Sequence, residues 1–414
     1  MSALGFFSEP GPLSLDGARV GLCSFLLAHQ SAQLPILLNA NPTIDSWRWL
    51  GISWQDPPEA LEAEALLSAW EQRGLLYSCG CERPAAPHPC LQQAPPQKKC
   101  YRLRLSEIES LRYQDEAHQE LALHAEDPIV ADAERRPEQS LVLALRAVAG
   151  EVSTMITPRP HEAVSVLLAA LRLLAQKTPL RLIQLPPIES PEGLPSIPEL
   201  RAQGYLPYAV VNALSLLFWS PPNGATALSK ELLLLLYEPT RPAASTRFEL
   251  ARLRALNEAH IRALSFEELG LALLPFLEEK SLRRPQHSLL QWAKLAREEL
   301  TTLLDVEHLA YFVDRDLAGP ERAPAEIIDV MRADTVGPVL AAAASYFSEG
   351  GADFHALRAR IEQQTNTRRK RLFYPLRIAL TGKLYGPSFP EVLPFLGAQE
   401  CLQRLIIWQE FLVK

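Results

Sequence analysis

The first thirty residues restrict the chain most. Leu4, Phe6 and Phe7 form an apolar piece, Pro10, Gly11 and Pro12 a turn, and Ala18 to His29 a helix with Leu22, Phe25 and Leu26 on one side. Strand, tight turn and helix in that order open a nucleotide-binding α/β domain. The same logic continues downstream. Leu34 to Leu38 reads as a short strand. Ala60 to Arg73 reads as a helix with Leu61, Ala65, Leu66 and Ala69 on one face. Gly74 is placed to stop it before the extended Leu75-Leu76-Tyr77.

A chain of 414 residues is long enough for two or three domains with their own cores. Its 48% hydrophobic and 21% charged residues suit a soluble globular protein. No apolar run approaches the roughly 20 residues that span a bilayer, and Leu232 to Tyr237 is short and flanked by Glu231 and Glu238. The N-terminus lacks a charged-then-apolar leader, so a cytoplasmic location is expected. A net charge of −7 gives no bulk attraction to nucleic acid, so RNA contact requires a local basic patch. Arg368, Arg369, Lys370 and Arg371 form such a patch, although charge runs also occur as solvated helix ends. No internal repeat and no low-complexity tract interrupts the chain.

Six cysteines in a chain this long do not suggest a disulfide scaffold, but four of them fall between Cys79 and Cys100. Cys79 and Cys81, one residue apart, can both reach one ion. Cys90, with His88 near it, and Cys100 follow. Zinc takes four such ligands; a loop with incidental thiols is the other reading. Strands are expected at Cys100 to Leu105, Asp127 to Val130, Ser140 to Leu145 and Leu182 to Ile188, with an apolar helix from Glu162 to Ala175. From Phe266 onward the pattern is helical. Leu269, Ala272, Leu273, Phe276 and Leu277 form a stripe in which Pro275 is placed to kink the helix. Further helices are expected over Leu289 to Leu303, Val306 to Val313, Ala325 to Met331, Val339 to Phe347 and Phe354 to Glu362.

The wording of several stretches resembles the glutamyl-tRNA synthetases, a class I family. Ser8, Gly11, Pro12, Leu13, Leu15, Ala18 and Arg19 match its first signature without a gap. Trp47 to Trp54 is similar to its Leu-Arg-Trp-Leu-Gly-Leu-Asp-Trp, and Leu200 to Pro207 to its Tyr-Arg-Glu-Gln-Gly-Tyr-Leu-Pro. Arg247 to Asn257, and Tyr374 to Gly382 with Pro387 to Gly397, resemble later segments, the last in the anticodon-binding part. The resemblance runs from Leu4 to about Leu405. It is present in the structural words and missing in the chemical ones. The family's first arginine falls on Leu4, the two signature histidines on Ser14 and Gly17, and the central glycine on Asp16. The amino-acid-holding Thr-Tyr-Asn falls on Glu138, Gln139 and Ser140, and a following acidic pair on Arg146 and Ala147. Of the family's Arg-Gly-Glu-Asp-His only His161 remains, and the lysine-bearing loop is replaced by Glu189 to Pro195, which has no lysine.

The resemblance implies a class I Rossmann-type catalytic domain with an inserted small domain, followed by an all-helical anticodon-binding-like domain. Its parts are 1–76 (first half of the Rossmann-type domain), 77–135 (acceptor-binding-like insertion, with Cys79, Cys81, Cys90 and Cys100 as zinc ligands), 136–245 (second half and connection) and 246–414 (helical domain). It implies tRNA as partner, with Arg368, Arg369, Lys370, Arg371 and Arg377 as RNA-binding residues. No catalytic residue is assigned. The replacements at Leu4, Ser14, Asp16 and Gly17 argue against ATP and magnesium binding and against the family's ATP-dependent glutamate–tRNA ligation, and so for a tRNA-binding pseudo-synthetase. The alternatives are a protein-interaction module of glutamyl-tRNA metabolism, acting through a protein partner, and a divergent active glutamate–tRNA ligase.

Overall fold

The computed structural model describes residues 3–6, 11–38, 44–81, 90, 97–105, 113–114, 120–121, 127–157, 166–167, 169–170, 181–191, 193–243 and 245–413. The chain divides into two compact units, Met1–Leu200 with Pro207–Leu253, and Arg201–Leu206 with Arg254–Lys414.

The first unit begins with β1 (Ala3–Phe6), α1 (Leu15–His29), β2 (Ile36–Leu37), α2 (Ile44–Leu50), α3 (Ala63–Gln72) and β3 (Leu76–Cys79). It continues through β4 (Cys100–Leu103), β5 (Tyr113–Gln114), β6 (Glu120–Leu121), β7 (Ile129–Asp132), α4 (Gln139–Ala149), β8 (Val152–Thr157) and β9 (Arg181–Gln184). A parallel sheet runs in the order β2-β1-β8-β9. The chain moves from β1 to β2 on one side and returns to β8 on the other, so the switch point lies between the carboxyl ends of β1 and β8, where α/β sheets open a ligand crevice. A second, antiparallel sheet runs β3-β4-β7, and β5 pairs with β6.

Helix α1 is buried nearly all round, with Leu15, Val20, Leu22, Phe25 and Leu26 in the core, so it is a central rather than a surface helix. It starts three residues before the sequence reading, because Ser14 caps it. The end of α3 follows the expected glycine signal. Gly74 takes φ +68°, its N–H reaches Glu71 O, and the Leu75 N–H reaches Trp70 O, the paired bonds that close a helix.

One strand expectation is overturned. Ser140 to Leu145 lies within α4, not in a sheet. A short run of Leu, Val and Ala satisfies both periods. Here Leu141, Ala144, Leu145 and Val148 recur at helical spacing on the buried side, and Gly150 caps the end. The strand expected over Leu182 to Ile188 stops at Gln184, since Pro186 and Pro187 have no N–H for a ladder. Of the helix expected over Glu162 to Ala175, positions 166, 167, 169 and 170 are helical and buried; the rest lies outside the described residues.

The second unit is helical: α5 (Leu250–Ala263), α6 (Phe266–Glu279), α7 (Leu289–Ala296), a 3-10 segment (Leu303–Phe312), α8 (Ala325–Met331), α9 (Val336–Ser348), α10 (Phe354–Thr365), α11 (Lys370–Thr381) and α12 (Phe389–Val413), which breaks at Gly397. Helix α6 runs through Pro275, which sits on its exposed side. The single helix expected over Leu289 to Leu303 is instead two pieces. Asp305 accepts from the N–H groups of Thr301 and Thr302 at 2.9 and 2.7 Å and starts a new helical segment there. No described helix is long and apolar enough to cross a membrane.

Candidate functional site

Helix α1 follows β1 in the chain, so its first turn stands at the carboxyl edge of the parallel sheet, beside the switch point. A helix start offers free N–H groups and the positive end of a dipole, which suits a phosphate. In this chain one of those N–H groups is already engaged and a carboxylate already stands at the positive end. The Ser14 hydroxyl accepts from the Gly17 N–H at 3.0 Å. Asp16 places a carboxylate in the first turn and binds Arg19 at 2.7 Å. Arg19 is 0% exposed, and its Nε and Nη1 have no partner among the described residues. Burial lowers the Arg19 pKa, with Asp16 opposing that shift. Position 17 is tightly walled: a Cβ there would lie 3.2 Å from Leu13 Cδ1 and 3.3 Å from Ser14 Oγ. An imidazole in its place would have to displace one of them. Leu4 is on β1, opposite Thr154 of β8.

The neighbouring positions serve the scaffold. Glu138 and Gln139 stand at the start of α4, and the Ser140 hydroxyl donates to Ile129 O at 3.1 Å. Arg146 donates to Leu38 O at 3.1 Å. In the loop from Glu189, the Ser190 hydroxyl donates to Gly193 O at 2.7 Å. His161 and His88 lie outside the described residues.

Three of the four thiols converge. The sulfurs of Cys79, Cys81 and Cys90 lie within 4.8 Å of one another, and Cys81 and Cys90 are 3.4 Å apart. Two sulfurs held 2.3 Å from one tetrahedral ion stand roughly 3.8 Å apart, so this donor set fits a soft or borderline ion such as zinc. The Cys81 N–H reaches the Cys79 sulfur at 3.5 Å, a bond that favours thiolate. Burial works to raise the Cys79 pKa, but the Cys81 N–H and the Arg102 guanidinium outweigh it and hold the thiol below its usual range. Cys100 is not in the cluster. It donates to the Cys79 carbonyl at 3.7 Å, and burial raises its pKa.

In the second unit Arg368, Arg369, Lys370 and Arg371 are all exposed, and none forms an ion pair with a described residue. They stand at the start of α11, where the helix dipole opposes cations. Arg369 takes φ +52°, a costly conformation for a side-chain-bearing residue. Buried Thr367 fixes the loop by donating to Thr365 O at 3.2 Å. Arg377 behaves differently. It is half-buried, donates to Gly386 O and Pro387 O at 3.2 and 2.7 Å, and packs 4.6 Å from the Phe389 ring centroid.

Comparison with known proteins finds chains that this one resembles. Residues 268–407 match the anticodon binding domain model. A glutamate–tRNA ligase of Desulfitobacterium hafniense is 23% identical over 96% of this chain and 96% of its own. One from Exiguobacterium sibiricum is 31% identical over 50% of this chain and 45% of its own. The chain is related, at low identity, to the class I glutamyl-tRNA synthetases. The fold agrees. A crystal structure of a glutamate–tRNA ligase from Elizabethkingia meningosepticum superposes with a TM-score of 0.72 over 100% of both chains at 16% identity. One from Elizabethkingia anophelis gives 0.69 over 99% of this chain and 100% of its own, also at 16%.

Within this synthetase-like chain, sequence reasoning located the thiols and the basic loop but not the charges behind them. The Asp16–Arg19 pair had one usable signal, opposite charges three apart on a helix. Arg102 had none beyond a cation within an apolar strand.

Proposed function

We propose that this synthetase-like chain binds tRNA through its helical unit and no longer activates glutamate. The observation that carries the reading is the Asp16 carboxylate, 2.7 Å from a fully buried Arg19, in the helix turn where a nucleotide phosphate would approach. A fixed negative charge there repels the triphosphate, and the capped Gly17 N–H is not available to it. The loop from Glu189 to Pro195 supplies no lysine to offset the charge that develops as pyrophosphate leaves. Each such loss costs on the order of two to three powers of ten in rate.

RNA binding rests on the exposed cations at 368–371, which form no ion pair with a described residue and stand at the start of α11, where Arg369 takes a positive φ and the helix dipole opposes cations. Zinc in the insertion and the four-part domain division belong to the same reading.

The test has two arms. Glutamate-dependent pyrophosphate exchange, with tRNA present, should stay at the level of the protein-free control; exchange at the rate of an ordinary synthetase would overturn the loss of activation. In gel retardation, tRNA should bind at low salt and release steeply as salt rises. The double reversal Arg369→Glu with Arg371→Glu should flatten the salt dependence by about 1.5 in log–log slope. No retardation of any tRNA at low salt would remove the RNA-binding arm.

A further inference from the structure

Helix α7 is closed at its start by a device that is normally apolar. Ser288 caps it: its hydroxyl accepts from the Gln291 N–H at 3.2 Å, and Gln291 Oε1 accepts from the Ser288 N–H at 2.8 Å. The residue before such a cap often packs on the fourth residue of the helix, both of them apolar. Here those positions hold His287 and Trp292, whose rings meet edge to face at 6.4 Å. His287 also stacks on Phe395 of α12, with 4.1 Å between centroids and 26° between planes, and Phe395 meets Trp292 at 4.9 Å. One imidazole thus joins the start of α7 to the half of α12 that ends at the Gly397 break. Gln291 Nε2 adds a second tie, to Pro394 O at 3.2 Å.

The imidazole is 7% exposed, and its Nδ1 meets no partner among the described residues. A neutral ring tolerates this, because one of its nitrogens is then only an acceptor. An imidazolium carries N–H on both nitrogens, so a charged donor would be left unpaired in a buried place. The surroundings supply no anion to meet it. On its own segment Arg283 donates to His287 O at 2.6 Å, and Arg284 adds a second guanidinium. Helix α7 faces it with Trp292 and α12 with Phe395, and an aromatic face draws a cation but does not accept the Nδ1 proton in the ring plane. From α12 also come Arg404 and Glu400, but that carboxylate is already held by Arg404 at 2.8 Å and by Arg315. Burial first, then Arg284, keep the imidazole below its ordinary range against the pull of Glu400. We propose that His287 is an acid-sensitive latch: the neutral ring seats residues 389–396 of α12 against α7, and a second ring proton releases that seat in mildly acidic solution. The opened histidine takes its proton as pH falls through about 6.5, the seated one only below that. The latch is therefore complete above that value and is lost as pH falls beneath it. The inference is independent of whether the chain activates glutamate or binds tRNA.

The test uses the full-length protein and hydrogen exchange read by mass spectrometry, corrected for the intrinsic rate at each pH. Between about pH 7.5 and 5.5, protection over Leu289–Ala296 and residues 389–396 should fall by up to about tenfold, the limit for one group that titrates at its ordinary value when open and stays neutral when seated. Helix α9 should change less. His287→Phe, which keeps a ring in the stack and removes the titrating group, should hold its protection over the same range. No fall in the unaltered chain, an equal fall in α9, or the same fall in His287→Phe would overturn the proposal. A second reading follows the ring itself. The C2 proton of His287, assigned as the NMR signal missing from His287→Gln, should titrate below the ordinary value of about 6.5. Titration at or above that value would overturn the proposal, even where His287→Phe does not fold.

Discussion

Replacing Arg404 with methionine should destabilise the helical unit by about 3–5 kcal/mol, among the largest effects expected of any single change in the protein. Arg404 is 2% exposed, yet each of its three guanidinium nitrogens donates a hydrogen bond. Nη1 donates to Tyr311 O at 2.9 Å and Leu380 O at 2.7 Å, Nη2 to Phe312 O at 3.1 Å, and Nε to Glu400 Oε1 at 2.8 Å. Those carbonyls belong to the ends of the 3-10 segment and of α11, where helices leave acceptors unmet and the dipole favours a cation. Methionine fills the space but leaves three acceptors dry and Glu400 with Arg315 alone. Lysine should not rescue it, because a single ammonium cannot reproduce the planar fork. Urea unfolding reads the loss directly, and a drop below 1 kcal/mol would count against this account. The acid limb gives a second reading. Burial would raise the Glu400 pKa, but hydrogen bonds from Arg315 and Arg404 outweigh it and hold the carboxyl below its ordinary range. Its contribution is therefore complete above the unfolded carboxyl pKa, about 4.3, and disappears as pH falls through the lower folded value. The gap between Arg404→Met and the unaltered chain should narrow over that window.

How far the residues foretold this differs from place to place, for physical reasons. Local signals were reliable where one residue type has one use. Gly74 ended α3 because a left-handed residue is needed there. Cys79 and Cys81 met because one intervening residue leaves them little choice. The misreading of Ser140 to Leu145 came from a run too short and too uniformly apolar to separate the two periods. Cys100 looked equivalent to Cys90 in the sequence. The ladder register sets Cys100 opposite Cys79, where its thiol donates to the Cys79 carbonyl, while the sulfurs that converge are those of Cys79, Cys81 and Cys90. Arg102 and Arg404 gave no warning, since a buried cation is defined by carbonyls and sulfurs that the fold gathers from distant positions. The basic run at 368–371 could be read as a run, but not that one of its members is held at positive φ.

The place where the chain departs most from the glutamyl-tRNA synthetase signature it resembles is also where reversal should cost most. Restoring glycine at position 16 would remove the helix-blocking carboxylate, and a simple view predicts a gain of nucleotide binding. The packing argues otherwise. Asp16 is the sole described partner of Arg19, whose side chain is 0% exposed while that of Asp16 keeps 20%. Asp16→Gly should therefore strand a buried guanidinium and cost the first unit about 3–5 kcal/mol, with a further fraction from glycine in a helix. Asp16→Asn, which keeps an acceptor but not the charge, should cost less. The double change Asp16→Gly with Arg19→Met should recover most of the stability, because the charge that needed a partner is gone. A double-mutant cycle in urea measures the coupling. Additive losses would mean that the two side chains are independent and that the carboxylate is an incidental replacement. Strong coupling would mean that the altered signature has become part of the core of α1, so that regaining the family's chemistry at position 16 requires repacking the helix that carries it.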